Sequence, residues 1–140
     1  MTEPSPRTRT ECARRGRPEF VAACAHLLYS VEPAEEIVRV LAGRTAPWWL
    51  ANRDDEDLRY WPRVWAARGL LWAWDDGALP ALRVALRDPA WRVREMAAKV
   101  VARNLVGDAL DDVAPLREDP VRRVRIAATR AVATLTARGA

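Results

Sequence analysis

The sequence has few of the residues that build catalytic and metal sites. Its 140 residues contain two cysteines, Cys12 and Cys24, one histidine, His26, and only two serines, Ser5 and Ser30. Two cysteines allow at most one disulfide, so free thiols are the better expectation. Structural zinc needs three or four ligands at characteristic spacings, which Cys12, Cys24 and His26 lack. We therefore expect no metal, no cofactor and no enzymatic activity.

Long apolar runs are also missing. No run approaches the roughly 18 residues that can cross a bilayer, and no charged-then-apolar leader opens the chain. We therefore expect a cytoplasmic protein without a membrane partner. The residues that are abundant form a narrow set: 22 of the 23 basic residues are Arg, and seven Trp accompany two Tyr and one Phe. Half of the chain is apolar and its length is that of one domain, so it can bury a core.

The first 17 residues differ in composition from the rest. They contain five Arg and two Glu, a net charge of +3, together with Pro4, Pro6 and Gly16. This composition predicts a flexible basic N-terminal arm over residues 1–17, followed by a folded domain over 18–140. The folded part has 18 basic and 17 acidic residues, so it is nearly neutral. The composition does not decide whether the arm contributes to binding.

From Pro18 onwards the apolar pattern is helical. Apolar residues recur at three- and four-residue steps, and no stretch alternates with a period of two. Prolines that fit the first turn of a helix, and Gly43 just past a helix end, divide this pattern into short segments. The prediction is eight helices in four antiparallel hairpins, over residues 18–29, 33–43, 46–53, 57–74, 77–87, 89–104, 108–117 and 120–136.

The chain repeats itself with a period of 31 residues. A shift of 31 aligns three Asp, three Arg and several apolar positions in both helices of each unit. The predicted repeats cover residues 18–45, 46–76, 77–107 and 108–138, of which the first is degenerate and reads as a cap. The aligned charged residues are Asp57, Asp88, Asp119, Arg63, Arg94 and Arg125.

Two segments carry a resemblance to a known family, DPAWRVREMAA at residues 88–98 and DPVRRVRIAA at 119–128. They resemble the HEAT repeat family, in particular its short bacterial form. The resemblance is good for 77–136, fair for 46–76, where Pro62 replaces the expected Val, and only topological for 18–43. It implies an all-α fold, an α-solenoid of about four helical hairpins in a right-handed superhelical stack, and usually a scaffold function.

The resemblance also implies a structural role for the aligned Asp and Arg, because such residues commonly form a ladder of hydrogen bonds between HEAT units. The local physics agrees with this expectation. An Asp-Pro pair starts a helix, since Asp caps free N–H groups and Pro fits the first turn.

One edge of the second helices is basic. Counted from each aligned Asp at about 100° per residue, positions +4, +11 and +15 fall beside the apolar face. Over three repeats these positions carry six basic residues, two Trp, one Thr and no acid. We call this edge the basic strip, and the resemblance implies that it lines a concave face. Its members are Trp61, Arg68, Trp72, Arg92, Lys99, Arg103, Arg123, Arg130 and Thr134.

Several interpretations of the basic strip compete. The simplest is a solvated edge in an Arg-rich chain. The functional interpretation is a non-catalytic adaptor that binds an acidic segment of a protein, because Arg forks bind carboxylates and Trp anchors interfaces. The alternative is nucleic-acid binding. Its least favoured form resembles an alkylbase DNA glycosylase with Trp72 and Asp76, but those enzymes are longer, and Asp76 fits a helix-cap position better.

Six of the seven Trp fall in the second repeat. Trp48 and Trp65 occupy predicted core positions. Trp49 and Trp74 fall off the apolar stripe, so at least one of them should be partly exposed. A role at an interface and a packing role against the first repeat are both open.

Overall fold

The computed structural model describes residues 6–30 and 33–139, and every regular element in them is helical. Short 3₁₀ turns lie at Gly43–Thr45, Glu56–Leu58, Asp76–Ala78, Gly107–Ala109 and Ala114–Glu118. The prediction of an all-α solenoid is confirmed. The α-helices are α1 (Pro6–Arg15), α2 (Arg17–Tyr29), α3 (Glu35–Ala42), α4 (Ala46–Ala51), α5 (Trp61–Trp72), α6 (Leu79–Ala85), α7 (Trp91–Asn104), α8 (Leu110–Val113) and α9 (Arg122–Gly139).

Two helices are shorter than their patterns predict. The helix predicted over 57–74 begins only at Trp61, because Asp55 caps a separate 3₁₀ turn by accepting the Asp57 N–H at 2.9 Å. The helix predicted over 108–117 becomes α8 followed by a 3₁₀ turn that contains Pro115. Pro has no N–H to donate within an α-helix, so this interruption has a local cause. Pro62 lies in the first turn of α5, where proline is tolerated.

The flexible arm predicted over residues 1–17 is wrong for residues 6–15, which form α1. This helix packs against α2 and α3. Glu11 is buried and accepts two hydrogen bonds from Arg14, at 2.6 and 3.1 Å, while Cys12 packs against the core. Arg14 also reaches Glu36 of α3 at 3.4 Å. Pairs of charged side chains thus hold α1 in place, although its composition suggested a solvated tail. Residues 1–5 of the predicted arm lie outside the described residues.

Four helices lie side by side in one row. α5 packs between α2 and α7, and α7 packs between α5 and α9. The second helices of the last three predicted repeats are therefore neighbours, as a 31-residue period requires. In the first unit, α2 makes more extensive contact with α5 than α3 does, although α3 was the predicted second helix.

Small residues allow these helices to approach closely. Ala66, Ala97 and Ala128 occupy one repeat position, and each is fully buried. At Gly69, an added Cβ would lie 2.8 Å from the Sγ atom of Cys24 on α2. The apolar residues of all the units join in one core. Within the described residues, no helix is long and apolar enough to cross a membrane.

Candidate functional site

The repeated Asp and Arg form ion pairs between neighbouring units. Arg63 donates to both carboxylate oxygens of Asp88, at 2.7 and 3.1 Å. One unit further, Arg94 donates to both oxygens of Asp119, at 2.8 and 3.2 Å. Each of these carboxylates also accepts the backbone N–H two residues later, at 2.9 Å. Each Asp thus closes a turn just before the helix of its own unit and holds the preceding unit. The predicted helix cap is wrong, because the N–H groups that the carboxylates accept belong to Ala90 and Val121, whereas the helices begin at Trp91 and Arg122.

The charge of Asp119 is stabilised by its surroundings. Desolvation by burial alone would raise its pKa, but the hydrogen bonds from Arg94 and from the Val121 N–H, with the positive charges of Arg94 and Arg125, lower the pKa overall. Arg94 is itself held in place, since its Nη1 donates to the backbone oxygens of Asp88 and Pro89 at 2.8 and 3.1 Å.

The ladder of ion pairs stops at both ends for different reasons. Asp57 is exposed, and its side chain pairs with no cation in the described residues. The position 31 residues before Arg63 is Glu32, an acid, so the first unit has no Arg at the aligned position. At the other end, no described carboxylate pairs with Arg125, although its Nη1 donates to the backbone oxygens of Asp119 and Pro120.

The structure brings the columns of the basic strip into contact through stacked Arg and Trp. The Cζ atom of Arg92 lies 5.4 Å from the Trp61 ring centroid and 4.4 Å from that of Trp91. Arg103 lies 5.1 Å from the Trp72 ring. Cation–π contacts of this kind, within about 6 Å, are attractive and restrict the Arg side chain. Arg of α7 thus rest on Trp of α5.

An acid that lies outside the nine predicted positions belongs to the same edge. Glu95 is buried, and it accepts two hydrogen bonds from Arg123, at 2.8 and 3.2 Å. Lys99 lies 4.0 Å from the same carboxylate. Glu95 stands at position +7, about 40° from position +11 on the helical wheel, so a wider angular window would have included it. Arg123 also lies 5.2 Å from the Trp91 ring.

The remaining cations of the strip differ in how far they are engaged. Arg68 donates to the backbone oxygen of Leu41 at 2.8 Å and so ties α5 to α3. Although Arg68 is exposed overall, desolvation lowers the pKa of its guanidinium; Arg nevertheless stays charged at neutral pH. Arg92, Arg103 and Arg130 hydrogen-bond no side-chain or backbone acceptor in the described part of the chain. These three Arg therefore carry unused donors.

The Trp residues of the second repeat are distributed differently from the prediction. Trp49 is buried, donates its indole N–H to the Leu58 oxygen at 2.9 Å, and meets the buried Trp65 edge-on at 6.0 Å. Trp48 is 49% exposed, so its predicted core position is wrong, whereas that of Trp65 is confirmed. A wheel with a constant angle fails here because α4 is only six residues long and follows a 3₁₀ turn.

The segment after α5 also corrects a prediction. Trp74 is partly exposed and donates its indole N–H to Asp76 at 3.1 Å. The helix cap is Asp75 rather than Asp76, because the Asp75 carboxylate accepts the Gly77 N–H at 2.8 Å. Among the described residues, no three His, Cys, Asp or Glu side chains are grouped so that they could hold a metal ion.

A pocket of about 450 Å³ adjoins one end of the strip. Its lining includes Arg9, Cys12 and Arg17 from the N-terminal segment and Trp72 from α5. The N-terminal region therefore lies next to the strip.

The comparison with protein families bears on the central unit. Residues 78–103 match the family model of the HEAT repeat. This HEAT repeat contains nearly all of α6 and α7, and with them the ladder residues Asp88 and Arg94 and the strip residues Arg92, Lys99 and Arg103. The predicted resemblance is confirmed for this segment, which is a helical repeat. Comparisons with curated proteins and with solved structures found no match.

Proposed function

We propose that the chain is a non-catalytic HEAT-repeat adaptor whose basic strip, on the predicted concave face, binds an acidic segment of a partner protein. One observation carries the proposal. Arg92 and Arg103 rest on Trp rings, yet their N–H donors meet no acceptor in the described residues. A guanidinium held in this way loses little conformational freedom when it takes up a carboxylate in a bidentate pair.

The spacing of these two Arg specifies the ligand. They are 11 residues apart on α7, which corresponds to about 16 Å along a helix at 1.5 Å per residue. An extended peptide advances about 3.3 Å per residue. Two carboxylates about five residues apart in an extended segment can therefore reach both guanidinium groups.

The geometry favours a protein partner over nucleic acid. Glu95 already engages Arg123 and Lys99, so two cations of the strip have less charge to offer to a phosphate backbone. The Trp61 ring contacts Trp65 and Arg92, with centroid distances of 6.0 and 5.4 Å, which leaves little of it for stacking a base. A non-catalytic role also agrees with the scaffold character of the HEAT repeat.

A synthetic peptide tests the proposal. The probe is a fluorescein-labelled Gly/Ser peptide with two Glu five residues apart, and fluorescence anisotropy measures its affinity. Each charge-assisted pair contributes about 1.5 kcal/mol or more, so the double substitution Arg92→Gln with Arg103→Gln, which removes two pairs, should weaken binding at least about a hundredfold.

The matched control is Arg44→Gln with Arg87→Gln, which removes the same charge from exposed positions outside the strip. Equal losses in the two double variants would mean that only net charge matters, and the strip would be excluded. A short DNA duplex serves as the competing probe. If it displaces the peptide, and its affinity falls steeply with salt, nucleic-acid binding is the better function.

A further inference from the structure

The outer face of α9 is a stacking face that no described residue covers. At position +7, Val64 of α5 and Glu95 of α7 are each 7% exposed, whereas Ile126 of α9 is 46% exposed. At position +10, the alanines of α5 and α7 are fully buried, whereas Thr129 is exposed. In the two earlier helices, the next unit of the row buries these positions. The same positions in α9 are open to solvent.

Arg125 is already oriented for a ladder contact on this face. Its Nη1 donates to the backbone oxygens of Asp119 and Pro120 at 2.8 and 3.1 Å. Arg94 makes the equivalent two contacts at the same two distances, and its Nε and Nη2 then bind the carboxylate of the next unit. In Arg125, the Nε and Nη2 atoms hydrogen-bond nothing in the described residues. The guanidinium of Arg125 thus has the orientation in which Arg94 binds an Asp, but no described carboxylate pairs with it.

The surroundings of this fork are basic and partly apolar. A shallow groove of about 620 Å³ runs along the face, and no acid lines it. Its lining includes Arg117, Arg122, Arg125 and Arg130 around Ile126. An acidic group followed by an apolar surface matches this groove in charge and in polarity.

We propose that this end face, formed by Arg125, Ile126, Thr129 and the adjacent Arg, docks a partner-protein helix that an Asp shortly precedes. The two internal ladder contacts define the binding mode. The carboxylate accepts the Nε and Nη2 donors of Arg125 while it also accepts the backbone N–H two residues later, just before its own helix, as Asp88 and Asp119 do. An apolar side chain of that helix covers Ile126. The surface shares Arg130 with the basic strip but contains none of the Arg–Trp contacts of the proposed adaptor site.

A segment of this chain provides a suitable probe. The α7 sequence packs on α5, which presents apolar Val64 at position +7, where α9 presents apolar Ile126. A fluorescein-labelled peptide with the sequence of residues 88–104 therefore carries both the Asp and a matching apolar face. Its control is the same peptide with Asp88→Asn, which keeps the shape but loses the charge.

Anisotropy titrations of the whole chain test the contact. We expect the Asn peptide to bind about tenfold more weakly than the Asp peptide, since it loses a charge-assisted pair. Arg125→Gln should weaken the Asp peptide to the same extent, and the two changes together should cost no more than either alone. Ile126→Glu is a second variant, because its exposed side chain is not required for folding. Arg92→Gln with Arg103→Gln, which tests the basic strip, should leave this peptide unaffected.

Several outcomes would overturn the proposal. The proposal is wrong if the Asp peptide does not bind or if the two peptides bind equally well. It is also wrong if the Asp peptide binds Arg125→Gln and Ile126→Glu as tightly as it binds the wild type. Analytical ultracentrifugation adds another. If the chain associates with itself and Arg125→Gln abolishes the association, the occupant is a second copy and not a partner helix.

Discussion

Asp119→Ala is expected to be strongly destabilising, whereas the same change at the aligned residue Asp57 is not. The Asp119 carboxylate is buried, and it accepts two hydrogen bonds from Arg94 and one from the Val121 N–H. Removing one partner of a buried pair costs about 3–5 kcal/mol, because the other charge is left without compensation. The lost hydrogen bond from the Val121 N–H is part of this figure and contributes about 1 kcal/mol. Such a loss is a large part of the 5–15 kcal/mol that typically stabilises a domain.

Asp57→Ala provides the matched control. Asp57 occupies the same position of the repeat, but it is exposed and pairs with no Arg in the described residues. Its substitution should change the free energy of unfolding by no more than about 0.5 kcal/mol. Urea unfolding followed by far-UV circular dichroism compares the two variants with the wild type. If Asp119→Ala costs no more than Asp57→Ala, the ladder contributes nothing net and the reasoning from burial is refuted.

Two further predictions concern pH and packing. Because the folded pKa of Asp119 is depressed, its stabilisation is complete above the unfolded value of about 3.9 and is lost as pH falls through the folded pKa. In urea titrations, the stability gap between wild type and Asp119→Asn should be constant above about pH 5 and shrink below about pH 4; a gap unchanged in acid contradicts this. Gly69→Ala should cost about 1–3 kcal/mol and lower the Tm, since the new Cβ lies 2.8 Å from Cys24 Sγ. The control is Gly107→Ala, whose Cβ meets nothing within 4 Å and which should leave the Tm unchanged or raise it. If both variants lower the Tm equally, overpacking is excluded as the cause of the loss at Gly69.

The period of the sequence predicted the fold because one physical requirement recurs in each unit. Each second helix needs small residues where it meets its neighbours, as at Ala66, Ala97 and Ala128, and a helix start before them. The period could not predict α1, which lies before the repeats. Its contacts come from a buried acid, Glu11, and a partly buried thiol, Cys12, which a hydrophobic pattern does not register.

The basic strip was predictable as a set of positions but not as a set of contacts. A helical wheel places Arg92 and Trp61 at equivalent positions on different helices. It cannot state that the guanidinium of one covers the ring of the other, because that depends on how the helices pack. The exposure of Trp48 instead of Trp49 has a similar origin, since the 3₁₀ turn before α4 changes the direction in which both side chains point.

The surroundings of a side chain at position +7 depend on two neighbouring units. Val64, Glu95 and Ile126 align in the repeat, yet their surroundings differ with the unit that follows. A buried carboxylate is tolerated at Glu95 because Arg123 of the next helix supplies two hydrogen bonds and the opposite charge. Ile126 is exposed because no described helix follows α9. In a solenoid, the environment of a side chain is therefore set by the neighbouring unit as much as by its own. Arg125 follows the same rule, since the contacts within its own unit orient the fork and only a following unit, or a partner in that place, can supply the carboxylate.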